Sequence, residues 1–255
     1  MFKKLVPLNR EAHGKLKIKP IDTFDFAKDF HIASLMVHEF ARAASVYPIV
    51  FLEDAEKDAF RPVVLLGLEA GENLYLAEDG SWNASYVPAI IRRYPFALAR
   101  LNDNEEQFTV CLDEDSKFLD TKQGEALFDN DGEPTQVVEN VKRYLGEMQQ
   151  MESFSRDFSI FLAEHNLFNP LSMRVRYGDA LRNVTGCYVV NEERLYNLSD
   201  KLFLEIRDKR YLGPIFSHLT SLSQIERLAR FKDDQTEVTE PPAVQAEASE
   251  NGNEV

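Results

Sequence analysis

The chain has 255 residues, 44% of them hydrophobic and 28% charged, with 29 Lys and Arg against 43 Asp and Glu for a net charge of −14. This length holds one large domain or two closely packed subdomains, and the apolar share excludes wholesale disorder. The acidic field repels phosphate backbones and anionic lipid, so no nucleic-acid partner is expected, and two cysteines, Cys111 and Cys187, cannot build a disulfide framework or a thiolate metal cluster.

At the start of the chain, Leu5-Val6-Pro7-Leu8 runs straight into Asn9-Arg10-Glu11, too short an apolar run for a secretory signal. No stretch approaches the ~20 apolar residues of a membrane-spanning helix, so no membrane insertion is expected and the chain reads as soluble and cytoplasmic. Residues 1–133 look strand-rich. Short apolar stretches occur at Lys15 to Ile18, Tyr47 to Leu52, Pro62 to Leu68, Asn73 to Leu76, Phe96 to Leu101 and Gln107 to Leu112. Gly67, Gly71 and the Glu78-Asp79-Gly80-Ser81 cluster supply turns between them. The close spacing favours antiparallel pairing, because a parallel crossover needs a dozen or more connecting residues. Two helices interrupt this half: one over Ser34 to Val46, ended by Pro48, and a shorter one over Ser85 to Arg93, stopping before Pro95.

After residue 134 the period changes. Val137, Val141, Tyr144, Met148, Met151, Phe154, Phe158 and Phe161 recur at intervals of three and four, which keeps one apolar stripe on a helix of about 30 residues. Thr135 is the expected N-cap, and Asn166 to Asn169 ends the helix. Ser172 to Tyr177 and Cys187 to Asn191 read as a strand pair around a Gly178–Gly186 loop. Two last helices follow, over Ser199 to Lys209 and Leu212 to Phe231. The fold class is therefore α+β: a strand-rich, mainly antiparallel N-terminal half packed on a helical C-terminal half with one long amphipathic helix. The expected organisation is a single domain over 1–231, with parts 1–133 and 134–231. Residues 232–255 hold one Lys and seven acids for a net −6, no aromatic residue and a Pro-Pro pair, so they read as a disordered acidic tail.

Several chemistries are missing by inspection: there is no phosphate-binding Gly-x-x-x-x-Gly-Lys loop, no Gly-x-Gly-x-x-Gly turn and no Gly-x-Ser-x-Gly nucleophile elbow. His38-Glu39 opens like a zinc-protease helix, but Arg42 stands where the second His belongs. His31, His38 and Glu39 are the alternative metal or acid–base candidates, since a His pair with a carboxylate can hold a non-haem iron. The competing reading is a solvated helix face with one partly buried imidazole. Asp129-Asn130-Asp131-Gly132-Glu133 invites a calcium-loop reading, but Val138 stands where the closing Glu is needed, so a surface turn leading into a helix explains these acids better. Cys111 reads as a small buried thiol, and His218 as packing or interface.

The stretch from Asp79 to Phe96 is the most unusual. It holds the only Trp together with two Tyr, two Pro and an adjacent Arg pair. Aromatic and Arg side chains bury large areas while offering directed donors, as recognition surfaces require, and two guanidiniums can clamp a carboxylate or phosphate. Trp82, Tyr86, Arg92, Arg93 and Tyr94 are therefore the candidate ligand- or partner-binding residues. The competing reading is a structural corner, with Trp82 and Phe96 in the core and both arginines paired with the chain's own acids.

An ordered succession of short segments resembles the bacterial SapC-like family across most of residues 4–231. It runs from Leu5-Val6-Pro7-Leu8-Asn9-Arg10 with His13-Gly14, through Glu39-Phe40 and Tyr47-Pro48-Ile49-Val50-Phe51, to Leu66-Gly67-Leu68 and Gly71-Glu72-Asn73-Leu74. It continues through Trp82 to Phe96, Leu127-Phe128-Asp129-x-Asp131-Gly132 and His218-Leu219-x-Ser221-Leu222. The family is named for a locus of a bacterial surface-array protein and is distinct from the like-named transporter permease. Its members are often neighbours of genes for TonB-dependent receptors, flavin-dependent tryptophan halogenases and cupin-like proteins. The resemblance thus implies a soluble binding or accessory protein linked to surface-layer or TonB-linked uptake systems, with an unidentified protein or small-molecule partner. It brings no reaction, no catalytic residue and no cofactor. The alternatives are an iron-dependent oxygenase-type enzyme, or an accessory to one, using His31, His38 and Glu39, and a structural component of the surface layer.

Overall fold

The structure, a computed structural model, describes residues 1–54, 59–100, 108–178 and 180–239. In chain order the first part comprises β1 (Leu5–Pro7), α1 (Arg10–His13), β2 (Lys17–Ile18), β3 (Ile32–Ser34), α2 (Phe40–Ala43), β4 (Ile49–Asp54) and β5 (Ala59–Leu65). Then come α3 (Ala89–Arg92), β6 (Phe96–Arg100), β7 (Phe108–Asp113), β8 (Leu119–Asp120) and β9 (Glu125–Ala126). The long helix α4 (Gln136–Glu164) leads to β10 (Phe168–Pro170), the hairpin β11 (Met173–Tyr177) and β12 (Ala180–Val184), and β13 (Tyr188–Val190). Four helices close the described chain: α5 (Glu192–Tyr196), α6 (Asp200–Asp208), α7 (Leu212–Ser221) and α8 (Gln224–Thr239). The α+β class expected from the sequence is the class observed.

All strand pairs are antiparallel. The principal sheet has the order β10-β13-β4-β5-β3, and a second has the order β1-β7-β6. A small sheet, β8-β2-β9, and the β11-β12 hairpin complete them. Two apolar clusters follow this division. One fills the principal sheet with Phe40, Tyr47, Phe51, Leu66, Phe158 and Leu162. The other joins Phe96, Leu112, Leu127, Val138 and Leu145. Helix α4 is long enough to serve both, its first half covering the second cluster and its last turns the first. Burying each such large side chain stabilises the fold by about 1.5–3 kcal/mol.

The long helix ends as its sequence requires. Asn166 takes φ +53°, a left-handed conformation that Asn tolerates, and Leu167 N then donates to Leu162 O at 2.9 Å while its side chain is buried. At the other end Thr135 occupies the N-cap position, but its hydroxyl donates to Ala126 O at 2.7 Å rather than accepting from the helix. The cap is thus given to the neighbouring strand.

Several expectations differ from the structure. The helix over Ser34 to Val46 is replaced by strand β3, a 3-10 turn at Val37–Glu39 and the single turn α2. Pairing at the sheet edge wins here: β3 adds to β5, and Leu35 N donates to Pro62 O at 3.0 Å, so the backbone is committed before a helix can begin. The Ser85 to Arg93 helix shrinks to α3, and Asn73 to Leu76 contributes one isolated bridge, Leu76 to Trp82. The strands flanking Gly178–Gly186 do not pair with each other. β11 pairs with β12 from within that supposed loop, while β13 joins the principal sheet beside β4 and β10. Finally, the last helix is broken into α7 and α8, and α8 continues to Thr239, past the expected start of the tail at residue 232. Residues 240–255 lie outside the described residues.

Candidate functional site

The corner from residue 80 to residue 96 is built by short-range geometry and then locked by side chains. Gly80 takes φ +81°, and a Cβ there would fall 2.6 Å from Asp25 Oδ1, so only glycine fits where Phe24 N reaches Gly80 O. From this turn Trp82 Nε1 donates to Tyr47 Oη at 2.6 Å, and the Tyr47 hydroxyl donates in turn to Tyr86 O. Tyr86 Oη donates to Glu39 Oε1 at 2.6 Å. The same carboxylate accepts Ala89 N at 2.8 Å and Met36 N at 2.9 Å, so a buried Glu39 ties the 3-10 turn to the start of α3. Burial holds the Tyr47 and Tyr86 phenols well above their ordinary pKa, and the Glu39 carboxylate adds to this at Tyr86, so both remain hydroxyl donors.

The five candidate residues separate on this frame. Trp82 packs edge-on against Phe24 and is held by Tyr47. Tyr86 is held by Glu39. Arg92 is exposed: its Nε donates to Val87 O at 2.9 Å, and its guanidinium lies 5.5 and 5.8 Å from the Tyr86 and Tyr144 ring centroids. Tyr94 is 5% exposed, stacked on Phe26 at 4.1 Å, with its hydroxyl donating to Asp113 Oδ2 at 3.0 Å. Arg93 differs from the other four. Its guanidinium stands 5.5 Å from the Phe2 ring centroid, its Nε is buried without a hydrogen-bond partner among the described residues, and burial lowers its pKa, opposed by the charge of Glu152. No carboxylate among the described residues lies within salt-bridge distance of it.

Arg93 lines a cleft of about 590 Å³ between α4 and the β3–β5 edge of the principal sheet. The apolar lining includes Leu35 and Phe60 from the first cluster and Met36, Ile90, Leu145 and Met148 from the second, so the cleft sits where these two core clusters meet. Volumes of roughly 300–1,000 Å³, mostly apolar with a few placed polar groups, are those of small-ligand sites. The charged lining is Arg61, Arg93 and Arg156 with Glu152 and Asp54. Arg61, Arg156 and Glu152 escape sequence reasoning because β5 and α4 are brought opposite α3 only by folding. One signal was present: Met148, Glu152 and Arg156 are four residues apart and therefore share a helix face. Ser155, on the same helix, is buried, accepting Val37 N at 2.9 Å and donating to Met151 O at 2.7 Å, which fixes α4 against the 3-10 turn at the cleft wall.

The other candidates are placed as follows. His31 caps loop backbone through its carbonyl, which accepts Leu66 N and Gly67 N, while exposed His38 packs its ring 5.0 Å from Phe154. Glu39 has its carboxylate engaged by three donors, and among the described residues no group of three or more His, Cys, Asp or Glu is arranged to hold a metal ion. Asp129 Oδ1 accepts Asp131 N at 3.0 Å and Glu133 N at 2.9 Å, a self-contained turn just ahead of α4. Cys111 and Cys187 are both buried, which raises their thiol pKa, to about 11 for Cys187, and leaves them unreactive. No helix among the described residues is long and apolar enough to cross a membrane.

Fold and site together define an α+β protein organised around an Arg-lined cleft between a long helix and an antiparallel sheet. The chain belongs to the SapC family, whose family model matches residues 8–228. That span agrees with the extent of the sequence resemblance to within four residues at either end. No curated protein and no solved structure matches the chain at a significant level.

Proposed function

We propose that this chain is a binding or accessory protein of bacterial surface-layer or TonB-linked uptake systems, acting in the cytoplasm, with the cleft beside Arg93 as its ligand site. The observation that carries the reading is a half-buried guanidinium with no carboxylate partner among the described residues, on the wall of a largely apolar cleft. A buried charged group without a partner costs several kcal/mol unless something answers it, so such an arrangement suits a site completed by a ligand. Trp82, Tyr86, Arg92 and Tyr94 serve that site indirectly: their contacts with Tyr47, Glu39, Val87 and Asp113 hold the corner that presents Arg93.

The test is genetic and biochemical together. The gene is deleted in a bacterium that carries it, and surface-array composition and TonB-dependent uptake are measured. The reading expects one of the two to change, with restoration by the natural chain but not by a Gln149→Trp variant that fills the cleft. Unchanged surface and uptake in the deletion strain would overturn it.

A further inference from the structure

The cleft beside Arg93 runs along an open strand edge. Of the described residues in the sheet β1-β7-β6, Leu98 of the outer strand β6 lines it, and none of β7 or β1 does. A second hollow, of about 690 Å³, takes in Leu8, Phe108 and Val110 and so lies by β1 and β7. The Arg93 cleft is therefore on the side of β6 away from β7, and its far wall is β3 and β5 of the principal sheet.

The ladder shows which way the β6 main chain points. Asp113 N donates to Pro95 O at 2.9 Å, and Leu8 N donates to Val110 O at 2.8 Å. With the pairs Ala97–Cys111 and Leu98–Val110, this alternation turns the N–H and C=O of Ala97 and Ala99 toward β7 and those of Leu98 away from it. Phe96 O points the same way as Leu98, while Phe96 N is taken up by Arg93 O at 2.8 Å. Among the described residues, Leu98 N, Leu98 O and Phe96 O have no hydrogen-bond partner. The far wall repeats the pattern. There β3 ends at Ser34, Leu35 N takes Pro62 O at 3.0 Å, and Phe60, two residues earlier on that edge of β5, has no main-chain partner among the described residues. Arg93 Nε is one more unanswered donor at the same cleft. Half-buried main-chain groups are seldom left unpaired, and an open edge is a template for another strand.

On the reading that this cleft is the ligand site, we infer that its ligand is an extended peptide segment of a partner protein, added to β6 as a fourth strand. The peptide main chain answers Leu98 N–H and C=O, and a peptide carbonyl accepts from Arg93 Nε. Alternate side chains of the peptide rest on the apolar wall of Met36, Leu145 and Met148. The α4 residues of the lining run from Leu145 to Arg156, about 16 Å of helix, which matches about five residues of extended chain. Affinity then comes from the main chain, and preference among sequences from what the alternate side chains meet.

A phage-displayed library of random short peptides, panned on the full chain, supplies the probes. Recovered sequences are synthesised with capped ends and titrated by calorimetry. They are expected to lose binding to Gln149→Trp, with thermal unfolding confirming that this variant is folded. N-methylation removes one peptide donor at a time and should weaken binding by roughly tenfold at alternate positions, because every second residue faces β6. The bound peptide should also slow hydrogen exchange at the Leu98 amide, while Ala97, already directed to β7, stays unchanged. Binding blocked by Gln149→Trp but indifferent to N-methylation at every position would overturn strand addition while leaving the cleft as a ligand site. Binding that Gln149→Trp does not affect would place the peptide elsewhere and overturn both. Recovery of no binding peptide would overturn the peptide class, with the deletion strain still testing the cleft.

Discussion

His218 donates from Nδ1 to Ile49 O at 2.8 Å, and its Nε2 accepts Val190 N at 3.0 Å. The β13–β4 ladder pairs Tyr188 with Phe51, so in the same antiparallel register Val190 and Ile49 fall opposite each other two positions further on. The imidazole of α7 stands in for their direct hydrogen bond. Ser221, one turn on, accepts Ile49 N at 2.9 Å and donates to His218 O at 2.6 Å. Helix α7 is thereby joined to the principal sheet by polar contacts, all at residues that are 0–2% exposed. The pattern fixes the tautomer, because a ring nitrogen that accepts an amide cannot also carry a proton.

This arrangement predicts an acid-sensitive fold. Burial pushes the His218 pKa down from 6.5 to about 4, opposed by the hydrogen bond to Ile49 O. Between these values the unfolded chain binds the proton and the folded one does not, so stability is complete above about pH 6.5 and falls as pH drops toward 4. The linked loss is roughly 3 kcal/mol across that window. Urea unfolding at pH 7 and pH 5 should show it, and His218→Asn should flatten this part of the profile. His218→Ala should cost about 3–5 kcal/mol at pH 7, from two unpaired backbone groups and a cavity.

Glu39 is expected to be a structural keystone of the corner. Glu39→Gln places an amide NH2 against one of two buried backbone donors, Met36 N or Ala89 N, and should destabilise the fold by about 2–4 kcal/mol. Tyr86→Phe removes one hydrogen bond to the same carboxylate and should cost only about 1 kcal/mol. Denaturant melts of the two variants and of their combination check the coupling, which should be positive because both act on one carboxylate.

Trp82 is the sole tryptophan, so its emission reports on the corner. Partial burial against Phe24 and Tyr47 predicts a blue-shifted spectrum that moves to the red on unfolding. Tyr47→Phe removes the acceptor of the indole N–H and should shift the emission without unfolding the chain, at a stability cost of about 1 kcal/mol.

Asp113 clamps the N-terminal strand. Its carboxylate is 0% exposed and accepts Lys4 N at 2.7 Å, Lys3 N at 3.1 Å and the Tyr94 hydroxyl at 3.0 Å. Burial raises its pKa, but the Lys4 and Lys3 amides and Tyr94 outweigh burial, so the value lies below 3.8. The stabilisation is therefore present above the unfolded value and lost only as pH falls below it. Asp113→Ala should speed hydrogen exchange at the Lys3 and Lys4 amides at pH 7, while exchange in α4 stays unchanged.

Much of this molecule is legible in its sequence where the information is local. The three- and four-residue spacing from Val137 to Phe161 specifies α4 almost to its ends, because an amphipathic helix needs only its own periodicity and a face to bury. β4, β5, β6 and β7 are likewise written in short apolar runs bounded by turns. Residues 34–46 mislead because their helical pattern competes with an edge-strand pairing to β5, which a local window does not contain. At the candidate site, composition singles out the Trp82 to Tyr94 cluster, but not which member faces the cleft. That depended on Tyr47, Glu39 and Asp113 engaging three of the aromatic side chains from other elements.

The sequence by itself determined the α+β class, the long helix, the acidic field and the family, since each rests on periodicity, composition or ordered motifs along one chain. Only the tertiary structure decided that Arg61, Arg93 and Arg156 share a cleft, and that His218 bridges Ile49 to Val190 across 169 and 28 positions of chain. Both are meetings between elements far apart in sequence. Such meetings depend on how helices and sheets pack against one another, and no local pattern records that.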